Sequence, residues 1–365
     1  MSAIVCLSHR EDVDGIISAA LVKAAFKTKT TTVILADYAN IISRLQRIAD
    51  ISNSPTAALD LVPLSSYSSF SSSSSLYEKD NKRDHKVERL FICDLGLSSK
   101  NQQKFVSLLK DIVSNGVKVT YIDHHDISNE IAKDLKKIGV VLIHSIEECT
   151  SVQIYNKFKK KLNSHAAFFA ASAALTDYME SRPLASSIIS RYDRQFLMLE
   201  ATALSYMISS NQNNEEFLVK TIETLAQMKF PHEIEGGFII AERYAKKVSE
   251  AVKSVEASIV TKKNVAYTRS TGELSASVIV NFVLGISQKP VAMVFKLKDD
   301  INSYIISIRA SKDCQVHLGR IVNEVASNVG GSGGGHEKAS GALVPKDKLE
   351  EFIDFVDKRV VVFNT

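Results

Sequence analysis

The chain has 365 residues, 45% of them hydrophobic and 24% charged, and at roughly 150 residues per domain this length points to two or three domains with cores of their own, which excludes a stapled miniprotein and a wholly disordered chain. The net charge of +4 is compatible with a phosphate-bearing partner but too small to argue an extended nucleic-acid groove. Four scattered cysteines without a Cys-x-x-Cys pair, no 18-residue apolar run and no leader-like start give the expectation of a reduced, cytoplasmic protein with no membrane segment.

In chain order, residues 3–8, 32–36, 89–94, 117–123 and 140–144 read as buried strands. Between them, 15–26, 40–50, 99–114 and 128–137 carry apolar residues at three-and-four spacing, the period of amphipathic helices. This alternation predicts an α/β domain with a doubly wound, mostly parallel sheet, in which ligands bind beyond the carboxyl ends of the strands. A solvated Ser-rich insertion, about 63–87, has nine serines in the eleven residues 65–75.

Strand-end residues therefore carry the most weight. His9, Asp12 and Asp14 follow the first strand in HREDVDG; an imidazole and two carboxylates suit a hard or borderline divalent cation, although Asp before a helix is also ordinary capping. Asp94 ends the apolar RLFICD and is costly there unless paired; Ser98 is expected to cap the next helix. In YIDHHD, Asp123, His124 and His125 are adjacent, so the two rings point to different sides and one can ligate while the other faces a substrate. Asp177 is a lone acid ending the very apolar helix in AAFFAASAALTDYM. Residues 191–257 read as a helical connector, with domain one at 1–190. The run KFKKKL at 157–162 reads as a solvated helix face.

From 258 a smaller α/β domain begins: strand 265–268, helix 274–284, strands 291–297 and 304–310, and helix 316–328. Arg309 interrupts the apolar YIISIRAS and can clamp a phosphate. Six of the 15 glycines fall in 330–341. In GGSGGGHEKASG the small residues Gly333, Gly334 and Gly335 precede His336 and an expected helix, which would let backbone N–H groups approach a phosphate.

Together these segments resemble the DHH phosphoesterase superfamily with a DHHA1 second domain, of the NrnA and RecJ-like type. HREDVDG resembles its first motif, the Asp94 segment its second, Asp123-His124-His125 the motif that names it, and Asp177 its fourth; SIRAS and GGGHEKASG are similar to the DHHA1 signature. His9 lies three residues before Asp12, where the family pattern has two or four. The resemblance implies two Mn²⁺ (or Mg²⁺). His9, Asp12 and Asp94 would hold one ion, and Asp14, Asp94, His124 and Asp177 the other, with His125 on the scissile phosphate and Asp123 supporting it. Arg309, Gly333, Gly334, Gly335 and His336 would bind the far end of the substrate. The implied function is hydrolysis of short oligoribonucleotides or linear dinucleotides such as pApA to nucleoside monophosphates by two-metal activated water, with short RNA or DNA oligonucleotides as the expected partners. A homodimer is compatible with this reading. The alternatives are a RecJ-like single-strand exonuclease in repair and a non-catalytic partner in a replication complex.

Overall fold

The computed structural model describes residues 3–53, 87–98, 100–270, 272, 274–335 and 337–360. The Ser-rich insertion therefore lies outside the described residues, apart from Val87. The chain divides into two compact units, 1–242 and 243–365.

The first unit alternates strand and helix: β1 (Ala3–His9), α1 (Val13–Ala25), β2 (Thr30–Ala36), α2 (Ile41–Asn53), β3 (Val87–Cys93), α3 (Gln102–Ser114), β4 (Lys118–Asp123), α4 (Asn129–Lys137) and β5 (Val141–His144). All four strand pairings are parallel, in the order β2-β1-β3-β4-β5. The strand order reverses between β1 and β3, which makes the carboxyl ends of those two strands the switch point where this architecture binds ligands. Along β1, Val5 and Leu7 face one layer while Ile4 and Cys6 face the other. Both faces are covered, so the strand is apolar throughout rather than alternating.

One layer is α2, α3 and α4, whose single apolar stripes (Leu45 and Ile48; Phe105, Leu108 and Ile112; Ile131 and Leu135) pack on the sheet. The other is α1 with α5 (Thr150–Phe158), α6 (Ala166–Thr176), α7 (Pro183–Ile189), α8 (Arg194–Ser210) and α9 (Glu215–Ala226). Helices α1 and α6 are apolar all round because both are buried within that layer. Leu197, Leu204, Leu218 and Ile222 of α8 and α9 belong to this same core, and α10 (Gly237–Glu256) crosses the division between the units. The four cysteines are buried and unpaired.

The second unit holds β6 (Val260–Thr261), β7 (Val265–Arg269), α11 (Ala276–Ser287), β8 (Val291–Lys298), β9 (Ser303–Ala310), α12 (Leu318–Asn328), β10 (Ser332–Gly335), β11 (Ala339–Pro345) and α13 (Leu349–Arg359). Its sheet runs β10-β11-β9-β8-β7-β6 and is antiparallel except for β7 with β8, the pair that α11 connects. Met293, Ile306, Ile308 and Val344 meet Val322, Val325, Phe352 and Ile353 of α12 and α13 in its core.

Two local expectations differ from the structure. The glycine run forms strand β10 and is followed by strand β11, not by a helix. Helix α3 begins at Gln102 behind Asn101, three residues past Ser98, whose backbone carbonyl only accepts from the Asn101 N–H (2.9 Å).

Candidate metal centre and active site

Asp12 is the N-cap of α1: its Oδ1 accepts from the Gly15 N–H at 2.9 Å, and Oδ2 lies 3.4 Å from His9 Nε2. Capping and a ligand role are compatible, since capping occupies only one of its oxygens. Gly15 is needed because a Cβ there would lie 2.3 Å from the His9 carbonyl oxygen. His9 is buried, and its Nδ1 has no hydrogen-bond partner among the described residues.

One position into α1, Asp14 is buried and accepts from the Ser151 N–H on Oδ1 and the Thr150 N–H on Oδ2, both at 2.8 Å. These are the first N–H groups of α5, so Asp14 ties the two helices together and its charge sits at a helix N-terminus, where the dipole favours it.

Asp94 stands one residue beyond β3 with φ +59°, a left-handed backbone that Asp tolerates better than most residues. Its N–H donates to the Ile122 carbonyl (3.1 Å) and Oδ1 accepts from Thr150 Oγ1 (3.1 Å), while Oδ2 is buried without a hydrogen bond among the described residues. Burial and the charges of Asp14, Asp12, Asp123 and Asp177 push its carboxyl well above the usual range. Asp177, at the C-cap of α6, is pushed up to about 9 by burial and then by Asp14, Asp12 and Asp123; its Oδ2 also makes no hydrogen bond among the described residues.

His124 lies between them, with Nε2 3.4 Å from Asp94 Oδ1 and 3.5 Å from Asp177 Oδ2. Burial depresses its basicity, and the neighbouring His125 adds to this. A neutral imidazole between two carboxylates is a ligand with a lone pair available.

His125 points the other way: Nδ1 is 2.9 Å from Asp123 Oδ1, and Nε2 is 3.0 Å from the Tyr38 hydroxyl. Burial opposes its protonation, but the hydrogen bond and charge of Asp123 outweigh this and raise its pKa. Burial likewise opposes the Asp123 charge, yet the bond from His125 and the bond from Tyr121 hold its carboxyl below the ordinary value.

Ligand atoms of Asp94, His124 and His125, and separately of Asp14, His124 and Asp177, lie within 4.8 Å of one another. Raised carboxyls, like charges crowded together and unpartnered buried atoms on His9, Asp94 and Asp177 are what a donor set built for divalent cations shows without its counter-charge. In chemistry and placement the residues fit such ions.

Several contributors carried no strong sequence signal. Tyr38, two residues past β2, has its ring 5.1 Å from that of His9 and stands at a strand end where it could have been suspected. Gly96 lets His125 approach, since a Cβ would meet its Cγ at 2.9 Å. The Gln153 amide donates to the carbonyls of Asp123, Ser145 and Glu148 and pins the end of β4. Thr150, Ser151 and Gln153 are far from the motifs in sequence and look like ordinary helix residues.

In the second unit, Arg309 stands in β9 between register partners Ala292 and Ala339, and its Nη1 donates to the Ile308 carbonyl (3.1 Å). His336 lies outside the described residues. A Cβ on Gly331 would lie 2.3 Å from the Leu343 carbonyl oxygen, and one on Gly333 would lie 2.9 Å from Val322 Cγ1 of α12. At those two positions the absence of a side chain is a packing requirement between β10, β11 and α12.

Residues 3–180 match the DHH family, N-terminal domain, and residues 262–361 match the DHHA1 domain. An uncharacterized protein of Methanocaldococcus jannaschii is 28% identical over 276 residues, 72% of this chain; the matched part spans 57% of that relative's length. Among solved structures, a pGpG-specific phosphodiesterase from Vibrio cholerae is similar with a TM-score of 0.55 at 11% identity, over 99% of both chains. RecJ from Thermus thermophilus in complex with Mn²⁺ is similar with a TM-score of 0.58 at 11% identity, over 99% of this chain and 52% of that one. At such identities the likeness to the solved structures is one of fold. With both domains matched and the sheet order, strand-end acids and paired histidines in place, the chain belongs to the DHH family, with a DHHA1 domain as its second unit.

Proposed function

We propose that this protein is a Mn²⁺-dependent phosphodiesterase that hydrolyses short oligoribonucleotides or linear dinucleotides to nucleoside monophosphates. The observation that carries the reading is the convergence of Asp14, Asp94, His124 and Asp177 at the β1/β3 switch point, with buried Asp94 and Asp177 oxygens that make no hydrogen bond among the described residues. His9, Asp12, Asp14, Asp94, His124 and Asp177 would hold the ions. A mixed carboxylate and imidazole set suits Mn²⁺, with Mg²⁺ the harder alternative. Bound ions supply polarisation of the phosphoryl oxygen and an acidified water.

The protein's own residues do the rest. Asp123 fixes the His125 ring through Nδ1 and sustains its protonated form. That leaves Nε2–H, now facing the Tyr38 hydroxyl, to turn to a phosphoryl oxygen and stabilise charge that grows as the bond to phosphorus breaks. Asp14, anchored on two N–H groups of α5, keeps its orientation without reorganising. Arg309 and the β10–β11 glycines of the second unit are the substrate-binding residues of this reading.

The test is the product ladder of a 5′-labelled RNA 5-mer and a 20-mer incubated with Mn²⁺. Mononucleotide release from the 5-mer, with the 20-mer at least about tenfold slower per unit kcat/KM, is expected. Equal rates on both replace the short-substrate reading with single-strand exonuclease activity, and an Asp94→Ala variant as active as the parent removes the enzyme site.

A further inference from the structure

The run Lys157 to Leu162, with its four lysines, is not used by the reaction, and on one helix such a run is usually a solvated face. The structure gives it company. Lys161 of the turn Lys159–Lys161 sits with Nζ 4.4 Å from the ring centroid of Phe26, just past α1. Arg89, at the start of β3, approaches the same ring at 5.8 Å, and Arg89 is the register partner of Lys118 at the start of β4. On the other side a groove of about 450 Å³ is lined by Lys23, Lys27, Lys29, Thr30, Thr31 and Glu223. Cations from four chain segments, 23–29, Arg89, Lys118 and 157–161, thus stand at the amino ends of β2, β3 and β4. Glu223 pairs with Lys23, and Glu88 with Lys29 and Arg89. Lys27, Lys118, Lys160 and Lys161 make no ion pair among the described residues.

The opposite end of the same sheet carries Asp12, Asp14, Asp94, Asp123 and Asp177, so the first unit is basic at one end and acidic at the other. Seven residues of β3 at ~3.3 Å each separate the two ends by about 20 Å. At ~3.4 Å per nucleotide, a stacked strand spans that distance with about six nucleotides. A dinucleotide in the acidic site reaches none of these lysines.

We propose that the amino end of the five-stranded sheet is a second binding surface, for the phosphate backbone of single-stranded nucleic acid longer than the short substrate. It goes beyond the proposed reaction and does not depend on it. Spaced ammonium and guanidinium groups along a sheet edge suit a flexible chain of phosphates, and their strength falls with salt as counterions are released.

The test uses the full chain, stripped of metal, and anisotropy of a labelled single-stranded 20-mer and 3-mer. The 20-mer is expected to bind at least about tenfold tighter than the 3-mer. K27E/K118E/K160E is expected to weaken 20-mer binding about 30-fold and to reduce the salt slope by about two, as for three lost phosphate contacts. Hydrolysis of the 3-mer with Mn²⁺ should stay within about twofold. The control reversal K296E/K298E/K312E in the second unit should change 20-mer affinity by less than about threefold. If the triple variant melts several degrees lower, Lys160→Glu alone, about threefold weaker, replaces it. The proposal is overturned if the 20-mer binds no tighter than the 3-mer, if the reversal leaves its affinity unchanged, if the control loses as much, or if phosphatidylserine vesicles bind and the 20-mer does not. Failure of 3-mer hydrolysis in the parent ends the proposed reaction while leaving this binding result readable.

Discussion

Asp123 and His125 face each other across one residue of chain, with Oδ1 2.9 Å from Nδ1, and the second carboxylate oxygen is held by the Tyr121 hydroxyl at 2.9 Å. A buried acid with both oxygens occupied fixes the ring it touches and favours its cationic form.

Asp123→Asn is therefore expected to lower the His125 pKa towards its ordinary value near 6.5 and reduce kcat about 10²-fold, the lower end of what a positioned proton donor contributes. NMR titration of the ring proton reads the first effect and single-turnover hydrolysis the second. The sign is fixed by linkage: the raised pKa gives stability that is fully present below about 6.5 and lost as pH rises through the folded value. In the variant that window should close.

Asp94→Asn keeps a residue that tolerates φ +59° and can still accept from Thr150, but removes one charge from a crowd of buried carboxylates. Without metal it should melt higher than the parent. Stoichiometric Mn²⁺ binding and hydrolysis should both be lost, by calorimetry and product assay, and a variant that binds Mn²⁺ as the parent does counts against Asp94 as a ligand.

The metal-free protein should lose stability as pH rises. Asp177 titrates near 9 when folded against an ordinary value of 3.8, so between those values the folded state holds more protons than the unfolded one. Each such proton costs up to about 1.4 kcal/mol per pH unit, and Asp94 acts in the same direction. Melting curves across this range, with Asp177→Asn flattening the slope and Mn²⁺ restoring stability at high pH, check it.

Gly15→Ala should cost about 1–3 kcal/mol, because the new Cβ meets a backbone oxygen that cannot move without shifting His9. Gly285→Ala, in the last turn of α11 with open space around the added methyl, should gain about 0.4–1 kcal/mol. Opposite shifts in denaturation midpoint for the same chemical change are the expected pattern.

Tyr38→Phe removes the hydroxyl at His125 Nε2 and leaves the ring beside His9. Hydrolysis should change less than about tenfold, with the effect in KM or in the pH profile rather than in metal stoichiometry.

The parallel sheet of the first unit can be read from the residues alone, because strands buried on both faces are apolar throughout and alternate with striped helices. The sequence also pointed to Asp94, Asp123 and His124, since a strand's end is a local property and in this architecture strand ends gather at one place. It could not show that Asp14 is anchored by α5 from 136 residues away, or that Tyr121 and Gln153 brace the DHH segment, because nothing in their own neighbourhoods distinguishes them. The glycine run is the clearest case. Its composition argues against a strand, and the expectation of a loop before a helix followed from local preference alone. Pairing with β11 and close contact with α12 decided otherwise: these contacts leave no room for a Cβ at Gly331 or Gly333, and that is a property of neighbours brought there only by the tertiary fold.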